Sequence, residues 1–219
     1  MMPFQAMRLR NAAGGPAPST DIIHMEYEAG NLSTVFTDTG TGASTWTGTG
    51  GTFCSTTVIL AGVSSLRTTA DTDYLETAYT TGNRIPPTGD WDLDFLFRLG
   101  SSAGVYVLSC QDASATAAGT AFAVATSGGS QPVIVLSDGT TRSVIVGPTA
   151  ALSATTNYTG KVTRRGSTIE FFVNGVSQGT GTFSGTINTP VGGVWRIGKP
   201  LFGSNNGNGG YLDNLRLYQ

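Results

Sequence analysis

Ser167-Thr168-Ile169-Glu170-Phe171-Phe172-Val173-Asn174-Gly175-Val176 is an amphipathic run that turns on Asn-Gly. Asn and Gly accept the positive φ angles of a type I′ turn, whose twist matches that of the flanking strands, so the stretch reads as a β-hairpin. Val133 to Val146 is a second pair of apolar runs, about Asp138-Gly139, and the same turn is expected there. In Trp91-Asp92-Leu93-Asp94-Phe95-Leu96-Phe97-Arg98, Leu93, Phe95 and Phe97 share one face; Asp92, Asp94, Leu96 and Arg98 share the other. One face therefore packs a core and the other is wet or paired. Further short runs follow the same logic, among them Ile22 to Tyr27, Thr56 to Leu60, Tyr74 to Thr77, Val105 to Cys110, Ala121 to Thr126, Tyr158 to Arg164, Val194 to Ile197 and Tyr211 to Tyr218. Short strands at regular spacing with turn signals between them point to a sandwich or barrel. No run of about eleven residues keeps a helical period.

Composition sets the outer bounds. The 219 residues are 39% hydrophobic, enough for a real core at this length, and only 12% charged. A typical globular chain carries roughly 25% charge, so this surface is unusually neutral. The formal net charge is -2 and no basic patch is visible, which argues against a nucleic-acid partner. No stretch approaches the roughly 18 apolar residues of a membrane span. Met1 to Arg8 lacks a charged segment followed by an apolar run, so synthesis in the cytoplasm without a signal peptide is expected. Cys54 and Cys110 sit in separate apolar runs and read as buried free thiols. Asn11 to Thr20 is small, uncharged and punctuated by Pro16 and Pro18, which is linker chemistry. Before it, Phe4 to Arg10 alternates, with Gln5, Met7 and Leu9 opposite Phe4, Ala6, Arg8 and Arg10.

From about Asp21 onward the chain resembles the laminin-G-like, concanavalin A-like jelly-roll domains. The resemblance is carried by Arg164-Arg165-Gly166 leading into the Ser167–Gly175 strand, by Trp195-Arg196-Ile197-Gly198, and by Gly210-Tyr211-Leu212-Asp213-Asn214-Leu215-Arg216-Leu217-Tyr218. Asp73-Tyr74-Leu75 upstream completes the order. The resemblance implies an all-β, two-sheet antiparallel β-sandwich over residues 21–219, with residues 1–20 as an extended N-terminal arm and linker. Phe4, Met7 and Leu9 are then expected to dock on a partner. Leaderless Ser/Thr/Gly-rich chains of this kind also resemble structural proteins of tailed bacteriophages. That likeness implies a non-enzymatic virion subunit, decorating the head or sitting on the tail, with other virion proteins and copies of itself as partners.

The fold hosts lectins, hydrolases and scaffolds alike, so function must come from sites. Asp90, Asp92 and Asp94 alternate along one strand, which is similar to the acidic strand of laminarinase-like hydrolases. There, two carboxylates flank a glycosidic bond. No sugar cleft rich in Trp accompanies them here, so no catalytic residue is assigned; Asp92 and Asp94 are expected to pair with arginines such as Arg98, Arg164 or Arg165. Trp46, between small polar residues, is the best candidate for an exposed aromatic that stacks on a sugar, and with Asp92 and Asp94 it makes the expected ligand set. Ser204 to Gly210 is a polar loop whose Asn205, Asn206 and Asn208 carbonyls suit Ca²⁺ if an acid such as Asp71, Asp73 or Asp213 joins them. The loop brings no carboxylate of its own, so a plain turn and no required cofactor are expected. His24 reads as a half-buried histidine. Two functional alternatives stand beside the virion subunit: a module that binds cell-surface glycans, and a glycoside hydrolase of the laminarinase-like type.

Overall fold

The computed structural model describes residues 20–70, 72–100, 106–112, 114, 116–127, 131–146, 152–199 and 210–219. The expected arm over residues 1–20 therefore lies outside the described residues except for Thr20, whose amide donates to the Gln219 carbonyl. The described residues contain no helix, and so none long and apolar enough to cross a membrane.

Fifteen strands follow in order: β1 (Asp21–Met25), β2 (Thr47–Thr49), β3 (Phe53–Ser55), β4 (Ser65–Arg67), β5 (Tyr74–Ala78), β6 (Trp91–Arg98), β7 (Tyr106–Gln111) and β8 (Thr120–Thr126). Then come β9 (Pro132–Ser137), β10 (Arg142–Val146), β11 (Asn157–Arg165), β12 (Thr168–Val173), β13 (Val176–Thr182), β14 (Val194–Ile197) and β15 (Tyr211–Tyr218). Eight strands form one antiparallel sheet in the order β13-β12-β11-β6-β15-β4-β3, with β1 pairing the far half of β15. Seven form the other, in the order β10-β9-β8-β7-β14-β5-β2. The two-sheet sandwich read from the sequence is the architecture found.

The core lies between the sheets and is joined by aromatic edges. Trp91 on β6 meets Phe122 on β8 with ring centroids 5.9 Å apart at 88°, and Phe122 meets Trp195 on β14 at 6.5 Å and 64°. Edge-to-face packing sets a positive ring edge on a negative ring face, adding to the burial of these large surfaces. The inward row expected of β6 is confirmed: Leu93, Phe95 and Phe97 are fully buried. Cys54 and Cys110 are buried free thiols on opposite sheets, and burial pushes both up from the usual thiol range.

The two turns differ. Val173 pairs with Val176, and Asn174 and Gly175 take φ of 51° and 75°, as a type I′ hairpin requires. Around Asp138-Gly139 the expectation fails. Ser137 pairs with Arg142, so four residues make the loop, and only Gly139 has positive φ. Asp138 instead accepts the amides of Thr140 and Thr141 at 2.8 and 2.7 Å, a side-chain turn that stands in for the backbone one. Thr56–Leu60 is also not a strand. It belongs to the connection between β3 and β4, where the Leu60 amide donates to Ser65 Oγ at 2.8 Å.

Candidate functional site: the outer face of the eight-stranded sheet

Strict alternation on β6 sends Asp92, Asp94, Leu96 and Arg98 outward. Register then decides their neighbours. Lys161 on β11 and Arg216 on β15 flank Asp94, while Thr163 and Tyr218 flank Asp92. Arg165 Nη2 donates to both oxygens of Asp92, at 2.8 and 3.0 Å. Lys161 Nζ sits 3.5 Å from Asp92 Oδ2 and 3.5 Å from Asp94 Oδ1. It also donates to the Tyr218 hydroxyl at 3.2 Å, and that hydroxyl donates to Asp94 Oδ2 at 2.7 Å. Burial, and then the Asp94 carboxylate, push the Tyr218 phenol well up. Arg216 lies over the Tyr218 ring at 4.8 Å and donates to Asp21 at 2.7 Å. Arg165 and Asp21 thus tie off the two ends of one polar network, in which each carboxylate is matched by a cation or a hydroxyl. Asp90, just before β6, accepts the Gly166 amide at 2.7 Å.

A second row crosses the same face at the other end of β15. Tyr211 pairs with Arg98 on one side and Arg67 on the other, and Arg67 pairs with Phe53. The Arg67 guanidinium lies 5.7 Å from the Phe53 ring centre and 5.8 Å from that of Tyr211; Arg98 lies 5.9 Å from Tyr211.

Between the two rows, β15 breaks its alternation. Its pairing with β6 shifts between Asp213 and Arg216, and Asn214 takes φ of 51°. Asp213 is 1% exposed because the β3–β4 connection folds over it. It accepts the Ala61 amide and the Ser65 hydroxyl, both at 3.0 Å, and the Asn214 amide at 2.8 Å. Burial nevertheless raises its carboxyl from the ordinary 3.8 to about 6. Leu32 and Val35, on the connection from β1 to β2, and Ile59 and Val63, on the connection from β3 to β4, are exposed. The Val63 amide donates a hydrogen bond to Glu28 Oε2 at 2.9 Å.

Of the ligand residues expected from sequence, Asp92 and Asp94 are together and outward, and Asp92 is paired with Arg165 as anticipated. Trp46 is corrected. It is 5% exposed and belongs to the core, because Thr45 and Thr47 turn outward while the ring between them turns in. Of the acids of the proposed calcium set, Asp71 lies outside the described residues, and Asp73 and Asp213 serve separate networks. Asp73 accepts the amides of Thr69 and Ala70 at 2.9 Å each, and the Thr69 hydroxyl; burial raises its carboxyl, but these bonds outweigh burial and lower it. Asn205, Asn206 and Asn208 lie outside the described residues, as do Phe4, Met7 and Leu9. Among the described residues no group of three or more His, Cys, Asp or Glu is placed to hold a metal. His24 is half-buried, 3.4 Å from both Asp21 and Glu26. The sequence reading missed Lys161, Tyr218, Arg67 and Tyr211. Their outward parity in β11, β15 and β4 was the available signal.

A family model described as the concanavalin A-like lectin/glucanases superfamily matches residues 95–219, more than half of the chain. No curated protein matches by sequence. Among solved structures, the binding domain of Paraclostridial mosquitocidal protein 1 superposes with a TM-score of 0.69 at 10% identity, over 91% of this chain and 49% of that one. The receptor-binding domain of botulinum neurotoxin mosaic serotype C/D gives 0.65 at 10% identity, over 91% and 47%. Domain 4 of AbnA, a GH43 extracellular arabinanase from Geobacillus stearothermophilus solved with arabinotriose, gives 0.64 at 12% identity, over 92% and 93%. The chain spans about half the length of the toxin binding domains and nearly all of the arabinanase domain. At these identities the likeness is one of fold.

Proposed function

Since the chain belongs to the concanavalin A-like lectin/glucanases superfamily, we propose that it is a non-catalytic binding module that recognises glycans through the outer face of its eight-stranded sheet. One observation carries this reading: both oxygens of Asp92 are taken by Arg165, and Asp94 is held by Lys161 and Tyr218. A glycosidase needs one carboxyl presented to the leaving oxygen and a second facing the anomeric carbon. Carboxylates engaged in this way offer instead a fixed set of donors and acceptors around an aromatic ring, which suits recognition of hydroxyls without turnover. The likeness to a domain solved with arabinotriose, and to toxin domains titled as binding domains, supports the same reading. Purified protein applied to a glycan array is expected to bind a subset of saccharides and to release no reducing sugar from a polysaccharide panel. Hydrolysis that is lost in Asp92→Asn would overturn the non-catalytic part.

A second reading places this module on a bacteriophage virion, as a head-decoration or tail-associated subunit. Its support is the weakly charged composition and the exposed aliphatic side chains of Leu32, Val35, Ile59 and Val63, which suit broad contacts with neighbouring subunits. Residues 1–20 would then be the docking arm. The expected result is co-purification with particles, lost when residues 1–20 are deleted while the melting temperature holds; particles that incorporate the truncated chain normally would argue against the arm.

A further inference from the structure

The two rows on the outer face differ in charge. In the first, cations and carboxylates alternate, so its sum is close to neutral. The second, Arg98–Tyr211–Arg67–Phe53, contains two guanidinium groups and no acid. The difference is sharpest at Arg67. Among the described residues its side chain takes part in no ion pair and no hydrogen bond, and the guanidinium's only partners there are the rings of Phe53 and Tyr211. Elsewhere on the protein, Arg165, Arg196 and Arg216 each hold a carboxylate, and Arg164 is spent on the carbonyls of Gly166, Pro87 and Gly185.

A guanidinium flanked by aromatic rings keeps its orientation, while its planar fork of N–H donors stays available at the edge. That fork fits a carboxylate or sulfate with two parallel bonds, and the ordering of the side chain has already been met by the stacking. Phe53 and Tyr211 are both partly exposed, so each also offers a ring surface to the C–H face of a pyranose. A polyphosphate chain is a poor match, because it needs a long basic track and this protein carries a net charge of -2. We infer that the Arg67–Tyr211 end of the outer face is a subsite for an acidic saccharide, one carrying a carboxylate or a sulfate. This rests on the glycan-binding reading above.

The test compares oligogalacturonate (carboxylate), a heparin-derived oligosaccharide (sulfate) and neutral gluco- and arabino-oligosaccharides by titration calorimetry against wild type, Arg67→Ala and Arg67→Lys. Melting temperatures serve as the folding control. The expected result is that at least one acidic oligosaccharide binds and that Arg67→Ala weakens it about ten-fold or more. Arg67→Lys, which keeps the charge and loses the fork, is expected to recover only part. Added salt weakens acidic binding, and neutral sugars respond to none of these changes. The two acidic probes show which anionic group is preferred. If Arg67→Ala fails to fold, Arg67→Lys alone decides: unchanged acidic binding in that variant overturns the fork. Acidic binding that is unaffected by Arg67→Ala overturns the subsite. Binding of neutral sugars alone overturns the subsite and leaves the glycan-binding face standing, whereas no saccharide binding at all overturns both.

Discussion

Gly160→Val is expected to destabilise the protein by about 3–4 kcal/mol, a loss near 10 °C in melting temperature for a chain of this size. Gly160 pairs with Phe95 across β11 and β6. A Cβ added there would lie 2.4 Å from Phe95 Cε2 and 2.5 Å from Cζ. Real carbons do not approach that closely, so either the ring or the strand must move. The ring has little room: Phe95 is 2% exposed and packs 5.4 Å from Phe97, which stacks on Tyr158 at 5.3 Å. Glycine in a strand interior otherwise costs backbone entropy, and here it is kept because a core ring occupies the space of its side chain. The check is a double-mutant cycle. Phe95→Leu alone leaves a void, but combined with Gly160→Ala it should recover stability relative to the sum of the single changes. A Gly160→Val protein that melts within about 1 °C of wild type would mean that Phe95 does not sit over Gly160.

Asp213 is expected to make the protein more stable in mild acid than at neutrality. Its carboxyl is raised to about 6 in the fold, so the native state holds a proton that the unfolded chain has already lost. Stability from this group is therefore fully present below the ordinary 3.8 and is lost as pH rises through about 6. The gain from pH 7 is about 2 kcal/mol by roughly pH 4.5 and approaches about 3 kcal/mol at lower pH. Asp73 acts in the opposite sense. Its carboxyl is lowered, so its contribution is present above the ordinary range and disappears as pH falls below it. The two together place the stability maximum between them. Asp213→Asn should flatten the rise between about pH 7 and pH 4.5 while keeping the acid limb set by Asp73. Melting curves of both proteins over that range check this, and parallel profiles would refute the assignment to Asp213.

What the sequence revealed and what it hid follow from the range of the interactions involved. The alternation of β6 and the Asn174-Gly175 hairpin are decided by neighbours one to three residues apart, and both were read correctly. The acids Asp92 and Asp94 were legible for the same reason. Their partners were less so, because Lys161, Arg165 and Tyr218 lie 67, 73 and 124 residues along the chain from the acids they meet, and only sheet register brings them together. Trp46 misled because small polar flanks are as compatible with an inward ring as with an exposed one. Asp213 bonds backbone amides, as its sequence context suggested, but its burial was hidden for a sharper reason. A bulge at Asn214 breaks the period-two rule, and an unpredicted loop over Thr56–Leu60 then buries the carboxylate. Asp138-Gly139 formed a turn as expected, but through its side chain.

The most direct measurement of the central claim is an amide NMR titration of the ¹⁵N-labelled full chain with the tightest saccharide from the array. A glycan-binding outer face predicts shifts concentrated in the outward positions of β6, β11, β15 and β4, around Asp92, Lys161, Tyr218 and Arg67, with the saccharide intact at the end of the titration. Shifts confined to the seven-stranded sheet, or progressive cleavage of the saccharide, would contradict it.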